Sequence, residues 1–322
     1  DESIDFVARH NFDDEVDTQA FYGETIIPLA DSWELTLCAR YEQEQHRRSG
    51  GDATGTVATI DSDRTFDAFL PRIGVNWEAA HNQNYGVLVS KGYNAGCGGT
   101  ADNSPNPSPV VHYEYDSETV WNYELYGRQT LMGGRLGLTQ NLFYARYSDM
   151  QLPFDLTPLD TRDESFVVRN ADQVVTYGAE LGATFALLEN VDLFGNVGLL
   201  KTEVEEYPGS GIEGNNLFGA PNFTGAAGVS WQQDGWNASL AARYSDSYFT
   251  DINNRPRGKT DAYIVTDAEM GYAFGNIRIF GEIKNIFDAD TAVAYYPGST
   301  EATDTAVLLQ PRTFRLGVSA RF

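Results

Sequence analysis

The chain is 322 residues long, carries 46 Asp and Glu against 22 Lys and Arg, and has a formal net charge of −24. So acidic a chain lacks the basic face that phosphate recognition requires, which excludes nucleic acid as a partner. No run of about eighteen apolar residues occurs, so no helical membrane span is predicted, whereas 18 Tyr, 18 Phe and 31 Gly suit pleated walls and tight turns.

The opening residues, Asp1-Glu2-Ser3, lack the succession of charged, apolar and cleavage regions that directs export, so such a signal is expected upstream of them. Along the chain the commonest pattern is alternation with period two. The stretch Trp33 to Tyr41 reads as a strand and contains Cys38. Farther on, Val175, Tyr177, Ala179, Leu181, Ala183, Phe185 and Leu187 share one face, against Glu180, Gly182 and Thr184 on the other. Ile277, Ile279, Gly281 and Ile283 alternate with Arg278, Phe280, Glu282 and Lys284. The chain closes on Phe314, Leu316, Val318, Ala320 and Phe322 on one face, with Arg315, Gly317, Ser319 and Arg321 opposite. A helix would place apolar residues three or four apart, and these runs do not.

About thirteen such segments of roughly nine to seventeen residues are predicted, longer than the usual strand of five or six. About ten tilted residues cross a hydrocarbon layer of roughly 25 Å, so these lengths suit a membrane wall. Connections alternate strictly. Short ones fall at Leu29 to Asp31, Glu78 to Asn82, Met132 to Gly134, Leu188 to Asn190, Gln232 to Gly235, and Gly275-Asn276. Long ones run Glu44 to Asp63, Asn94 to Asp116, Gln151 to Arg169, Glu206 to Gly219, Asp251 to Thr260, and Ala289 to Arg312. Tight turns on one side and long loops on the other characterise outer-membrane barrels. Trp33, Trp77, Tyr85, Trp231, Trp236 and Phe274 stand beside the short connections, with Phe322 at the same level, as an interfacial girdle would. The predicted fold is therefore all-β, an antiparallel up-and-down transmembrane barrel wall. A soluble β-sandwich competes, but its strands are shorter.

Cys97 lies in a Gly-rich stretch and no CxxC occurs, so neither zinc nor redox chemistry is indicated, and a Cys38–Cys97 disulfide would have to join a wall to a loop. His10, His46, His81 and His112 show no local Ser/Asp setting for nucleophile activation, so no catalytic residue is assigned. Glu124, Glu180 and Glu282 could form an acid/base set. At alternating strand positions they are better read as facing a wet lumen or a plug. Asn285 and Asp288 are read as shaping a strand-to-loop bend rather than holding metal.

Six stretches, in order, resemble TonB-dependent outer-membrane receptors. They are Phe69-Leu70-Pro71-Arg72-Ile73-Gly74; Ser90-Lys91-Gly92-Tyr93-Asn94-Ala95-Gly96; and Glu118-Thr119-Val120-Trp121-Asn122-Tyr123-Glu124-Leu125-Tyr126-Gly127. The others are Asn170-Ala171 with Tyr177-Gly178-Ala179-Glu180-Leu181; Lys284-Asn285-Ile286-Phe287-Asp288; and Arg312-Thr313-Phe314-Arg315-Leu316-Gly317 through Phe322. The resemblance implies a 22-stranded barrel in the outer membrane of a Gram-negative bacterium, around an N-terminal plug that couples to TonB. On that plan residues 1–322 are one domain, the C-terminal portion of the barrel, beginning near strand ten with no plug or TonB box. The terminal Phe322 would be read by the barrel-insertion machinery.

The implied function is uptake of a scarce nutrient, a ferric siderophore first and a sugar second, energised by TonB through the plug. A passive porin or an adhesin-type barrel is the alternative, and an enzyme is not expected. Aromatic faces and guanidinium groups would suit an iron chelate or a sugar. Candidate contacts are Arg47 and Arg48 in the first long connection, Tyr113 and Tyr115 in the second, and Phe154 in the third. Tyr207 and Phe218 follow, then Tyr248, Phe249, Arg255 and Arg257, and finally Tyr295 and Tyr296. Scarce His and Met offer no support for haem or copper, so no cofactor or metal is predicted.

Overall fold

The computed structural model describes residues 10–52, 60–102, 110–156, 166–296, 302 and 304–321. In chain order the strands are β1 (His10–Ala30), β2 (Trp33–Asp52), β3 (Ile60–Ala80), β4 (Gln83–Asn94), β5 (Cys97–Asp102), β6 (Val110–Tyr115), β7 (Glu118–Leu131) and β8 (Leu136–Asp155). They continue with β9 (Phe166–Leu188), β10 (Val191–Glu206), β11 (Phe223–Gln233), β12 (Trp236–Ser245), β13 (Tyr263–Phe274), β14 (Ile277–Lys284), β15 (Ala292–Tyr296), β16 (Thr305–Leu308) and β17 (Thr313–Ala320). Thirteen of them form one antiparallel meander, β1-β2-β3-β4-β7-β8-β9-β10-β11-β12-β13-β14-β17. The pairs β5–β6 and β15–β16 are separate hairpins set into two of the long connections. Among the described residues β1 and β17 do not pair with each other, so the sheet has two edges.

All six short connections are tight turns between consecutive wall strands. Their backbones take up positive φ at Asn82, Met132, Asp234 and Gly275, among others. At the β11–β12 turn Asp234 and Gly235 are both left-handed, the conformation a two-residue hairpin needs to match strand twist.

Register turns the alternation into two distinct faces. Leu35, Val75, Val87, Leu125, Leu142, Ala179, Leu199 and Phe223 are successive cross-strand partners from β2 to β11, an unbroken apolar row. The row starts two residues above Trp33 and ends eight above Trp231. That is roughly 20 Å of climb over roughly 34 Å of sheet, a tilt near 30°, close to that of barrel strands. On the same face Phe314, Leu316 and Val318 are 70%, 80% and 68% exposed. The opposite face carries ion pairs, Arg243–Asp267 at 2.7 Å, Arg315–Glu282 at 3.2 Å and Arg278–Glu269. Ser319 lies opposite Arg278 on this second face. The apolar face is the lipid side and the ion-paired face the lumen, as the alternation predicts. Arg321 follows β17 and donates its backbone N–H to Asn276, and Phe322 lies outside the described residues.

Two aromatic girdles bound the apolar face. At the short-turn end Trp33 stacks on Trp77 at 5.5 Å, Trp77 meets Tyr85, and Trp236 meets Tyr272 at 4.7 Å. The long-loop end has its own girdle, of Phe21, Tyr41 and Phe69 in register, Tyr123–Tyr144–Tyr177, and Phe223–Tyr244. Trp33 and Tyr41, Phe69 and Trp77, and Trp236 and Tyr244 each stand eight residues apart. At about 3.3 Å per tilted residue they bracket a layer of roughly 20–25 Å, the height of an outer-membrane apolar band.

The strands differ from expectation above the upper girdle. Wall strands range from 8 to 23 residues, and β1 to β3 pair continuously to Asp52 and Ile60. Arg47 and Arg48, expected in a loop, therefore lie on β2. The ladder between β3 and β4 stops at Arg72 and Ser90, directly below Pro71. Proline has no N–H to give, and it occurs where pairing ends. Above that point β4 leans away and continues as the β5–β6 hairpin, so Cys97 starts a strand rather than lying in a loop, and both cysteines are free.

Where β14 ends, Asn285 is 3% exposed and left-handed at φ 51°. Its amide donates to Ala289 O at 3.1 Å and Gln310 O at 3.0 Å, and its carbonyl accepts from Ala289 N. Asp288 accepts from the Arg312 backbone at 2.8 Å. The two residues shape the bend, as the sequence suggests.

Three substitutions test this architecture. Val318→Arg should destabilise the barrel in lipid vesicles by about 2–4 kcal/mol, and Ser319→Arg should stay within about 0.5 kcal/mol. Equal losses in urea titrations would contradict the assigned faces. Asn285→Ala should cost about 1–3 kcal/mol by leaving buried backbone groups unpaired. Limited proteolysis should then cut the 286–312 connection faster while the wall strands stay protected; unchanged cleavage would count against the bend's role.

Candidate functional site

The lumen face of the wall is polar. Arg72, Asn76, Glu124, Tyr126, Arg128 and Glu180 line a space of about 800 Å³ midway up β3 to β9. Glu124 accepts hydrogen bonds from Asn122 and, at 3.3 Å, from Asn141. Glu282 is held between Arg315 and Lys284. Each glutamate of the conceivable acid/base set is thus a wall residue on the wet side, and Glu124 and Glu282 are spoken for by neighbouring amides or cations. The described residues contain no group of three or more His, Cys, Asp or Glu that could hold a metal ion.

Above the wall the candidate contacts fall into separate groups. Arg47 points to the outer side, where it pairs with Glu15 at 3.0 Å, Asp17 at 3.2 Å and Asp63 at 3.7 Å. Arg48 points inward: it pairs with Asp14 at 3.4 Å, covers Phe12, and donates to Gly98 O at 3.2 Å. The β5–β6 hairpin packs on that inner side. Ser62 donates to Glu114 at 2.9 Å, and Arg64 reaches Tyr115 O while covering Phe66. Tyr113 stacks on Tyr115 at 6.3 Å. Burial pushes the Tyr115 hydroxyl up to about 12, with Cys97 and Tyr113 adding to it, and burial likewise raises Tyr113. Both remain neutral at physiological pH. The hairpin's neck has no ladder; instead Gln151 donates to Ala95 O at 2.7 Å and Asn170 to Asp116 O at 2.8 Å.

A second group converges from three other connections. Tyr207, folded back over β8, donates its hydroxyl to Leu152 O at 3.1 Å within a small core of Leu152, Val174, Val204, Ile212 and Ile252. Burial lifts that hydroxyl well above the ordinary phenol range. Phe154 meets Tyr207 edge-on at 5.6 Å and lies under Arg169. Tyr248 donates to Val293 O at 2.7 Å, and Thr250 to Tyr295 O at 2.8 Å, which ties the 246–262 segment to β15. Asn215 and Asn254 bind the 207–222 segment to the same loop. Between these pinned segments opens a cleft of about 320 Å³ lined by Pro153, Phe166, Phe218, Ile252, Arg255, Tyr295 and Tyr296. Arg255 pairs with Asp251 at 3.3 Å and Arg257 with Asp304 at 2.7 Å.

Of the predicted contacts, Phe218, Arg255, Tyr295 and Tyr296 meet in this cleft. Phe154, Tyr207 and Tyr248 hold it together from outside, and Arg47, Arg48, Tyr113 and Tyr115 belong to the β1–β3 extension and its hairpin. Phe166 and Ile252 were not among the predicted contacts. Phe166 fell within an expected loop, and Ile252 is a lone apolar residue in a polar segment; only the convergence of connections marks either one.

The sequence model of the family described as TonB dependent receptor-like, beta-barrel matches residues 3–286. Among solved structures the fold is similar to the ferric yersiniabactin uptake receptor FyuA from Yersinia pestis, with a TM-score of 0.77 and 18% identity over 95% of this chain and 46% of that one. It is similar to the siderophore receptor PiuA from Acinetobacter baumannii, at 0.76 and 17% over 95% and 43%. The closed form of the ferric-catecholate import receptor Fiu from E. coli K12 aligns at 0.73 and 17% over 97% and 46%. The chain thus spans a little under half the length of each of these proteins. With a family match over most of its length, on a tilted antiparallel wall banded by two aromatic girdles, the chain belongs to the TonB-dependent receptor β-barrel family of the outer membrane.

Proposed function

We propose that residues 1–322 form part of the wall and outer mouth of a receptor that captures a ferric siderophore and imports it, energised by TonB through a plug. The observation that carries this reading is the aromatic cleft of Phe166, Phe218, Tyr295 and Tyr296, fixed by hydrogen-bonded loops beside a polar lumen. Rigid aromatic faces of this kind bind large ligands at low entropic cost. The similar solved proteins are a ferric yersiniabactin uptake receptor, a siderophore receptor and a ferric-catecholate import receptor, which favours an iron chelate over a sugar. The unpaired edges of β1 and β17 support the view that this domain is one portion of a larger closed barrel, since lipid does not tolerate unsatisfied backbone groups. An uphill step across a membrane without ATP needs an external coupling element, and the family suggests the plug and TonB for it.

The test is accumulation of iron-55-labelled chelates by cells that carry the complete gene and lack other receptors, with and without TonB. Uptake is expected only where TonB is present. Uptake that persists unchanged without TonB would favour a passive pore and overturn the proposal. Tyr295→Ala and Phe218→Ala should each weaken binding of the accumulated chelate about tenfold or more, as truncation of buried aromatic anchors does. Unaltered affinity in both would remove the cleft from the binding surface.

A further inference from the structure

The charge of this chain is not spread evenly, and its distribution restricts the ligand. The described residues on the long-connection side are 10–20, 42–52, 60–68, 91–102, 110–121, 146–156, 166–176, 201–223, 245–263, 284–296, 302 and 304–314. They contain 27 Asp and Glu against 12 Lys and Arg, a net of −15 out of the whole chain's −24. Five arginines above the wall are matched to carboxylates. Arg255 at the cleft pairs with Asp251, Arg257 beside it with Asp304, and Arg312 at the neck of the β15–β16 hairpin with Asp288. Arg47 and Arg48 pair with Glu15 and Asp14 on the β1–β3 extension. Apart from Thr250 and the Asp251–Arg255 pair, the cleft lining is aromatic and aliphatic.

A mouth with one sign of charge focuses a field well beyond its contacts, drawing in opposite charge and repelling its own. An anionic chelate would approach against that field and find each of these guanidinium groups already engaged. Ferric iron carries three positive charges; three hydroxamate donors cancel them, whereas three catecholate donors leave a triply anionic complex. We propose that this mouth selects uncharged or cationic iron chelates of the hydroxamate class and discriminates against polyanionic catecholate chelates. The inference rests on the uptake reading above and names its substrate class.

The experiment uses the complete receptor in outer-membrane vesicles and three probes: ferrichrome, which is neutral, ferrioxamine B, which is cationic, and ferric enterobactin, which is triply anionic. Binding is read at low and at high salt. The hydroxamate chelates should bind at least tenfold more tightly than ferric enterobactin at low salt. The ratio should shrink at high salt, because the screening length falls from about 30 Å at 0.01 M to about 3 Å at 1 M. Releasing the guanidinium groups with Asp251→Asn and Asp304→Asn together should narrow the ratio several-fold by improving ferric enterobactin. Ferric enterobactin binding as tightly as the others, or a ratio that ignores both salt and the double substitution, would overturn the charge selection and leave the uptake reading standing. Binding of none of the three would overturn both.

Discussion

Every backbone N–H and C=O that meets lipid must be paired within the protein, and the remaining features of this chain follow from that constraint. An antiparallel ladder between sequence neighbours meets it with nothing but tight turns on one side. The thirteen-stranded meander is such a ladder, and between the two girdles its pairing runs from strand to strand, opening only at the β3–β4 seam just above Arg72. A continuous ladder forces the side chains into two sets, one for each solvent. It also decides where irregularity is allowed. Pro71, which ends the β3–β4 pairing, stands two residues from Phe69 at the upper girdle, where water or headgroups can take over the freed backbone groups.

The two faces then acquire different electrostatics for different reasons. Inside the wall the charges are close to balanced and locally paired, as at Arg243–Asp267 and at Arg315–Glu282–Lys284. Such pairs in a wet lumen contribute modestly to stability, and their main effect is to keep a polar surface without a strong net field. Aromatic rings on this face lie across glycines: the Phe280 ring occupies the space a Cβ at Gly317 would need. Above the wall, acids outnumber bases and cross-strand ion pairs knit charged residues into strands. Arg47 bridges β1 and β3 through Glu15, Asp17 and Asp63.

That difference explains what could be read in the sequence. The short turns, the period-two faces of β9, β14 and β17, and the lower girdle were legible because each depends on residues close in the chain. The height of β1 to β3 was not. The run Asp61-Ser62-Asp63 reads as loop, and it is strand because Ile60, Phe66 and Ala68 are buried beneath a hairpin from a later connection. The cleft was half legible. Composition singled out Arg255, Tyr295 and Tyr296, but nothing local joins them to Phe166, which lies some 130 residues earlier in the chain. The same listing by composition grouped Arg47 and Arg48 as neighbours, although adjacent strand positions point to opposite sides of a sheet.

Two modes of attachment divide the molecule into a part that holds and a part that can respond. Wall strands are fixed by ladders whose opening would expose backbone groups to lipid. The elements above are fixed differently: side-chain amides of Gln151 and Asn170 tether the β5–β6 hairpin, Asn215 and Asn254 join two loops, and Tyr248 and Thr250 tie the 246–262 segment to β15. Each such bond contributes on the order of 1 kcal/mol, and many can exchange with water when broken. Local opening therefore has its lowest cost at the mouth, where the cleft lies, and its highest in the banded wall. The segments that carry Tyr295 and Phe218 therefore have few bonds to lose, while the lumen beneath keeps its shape.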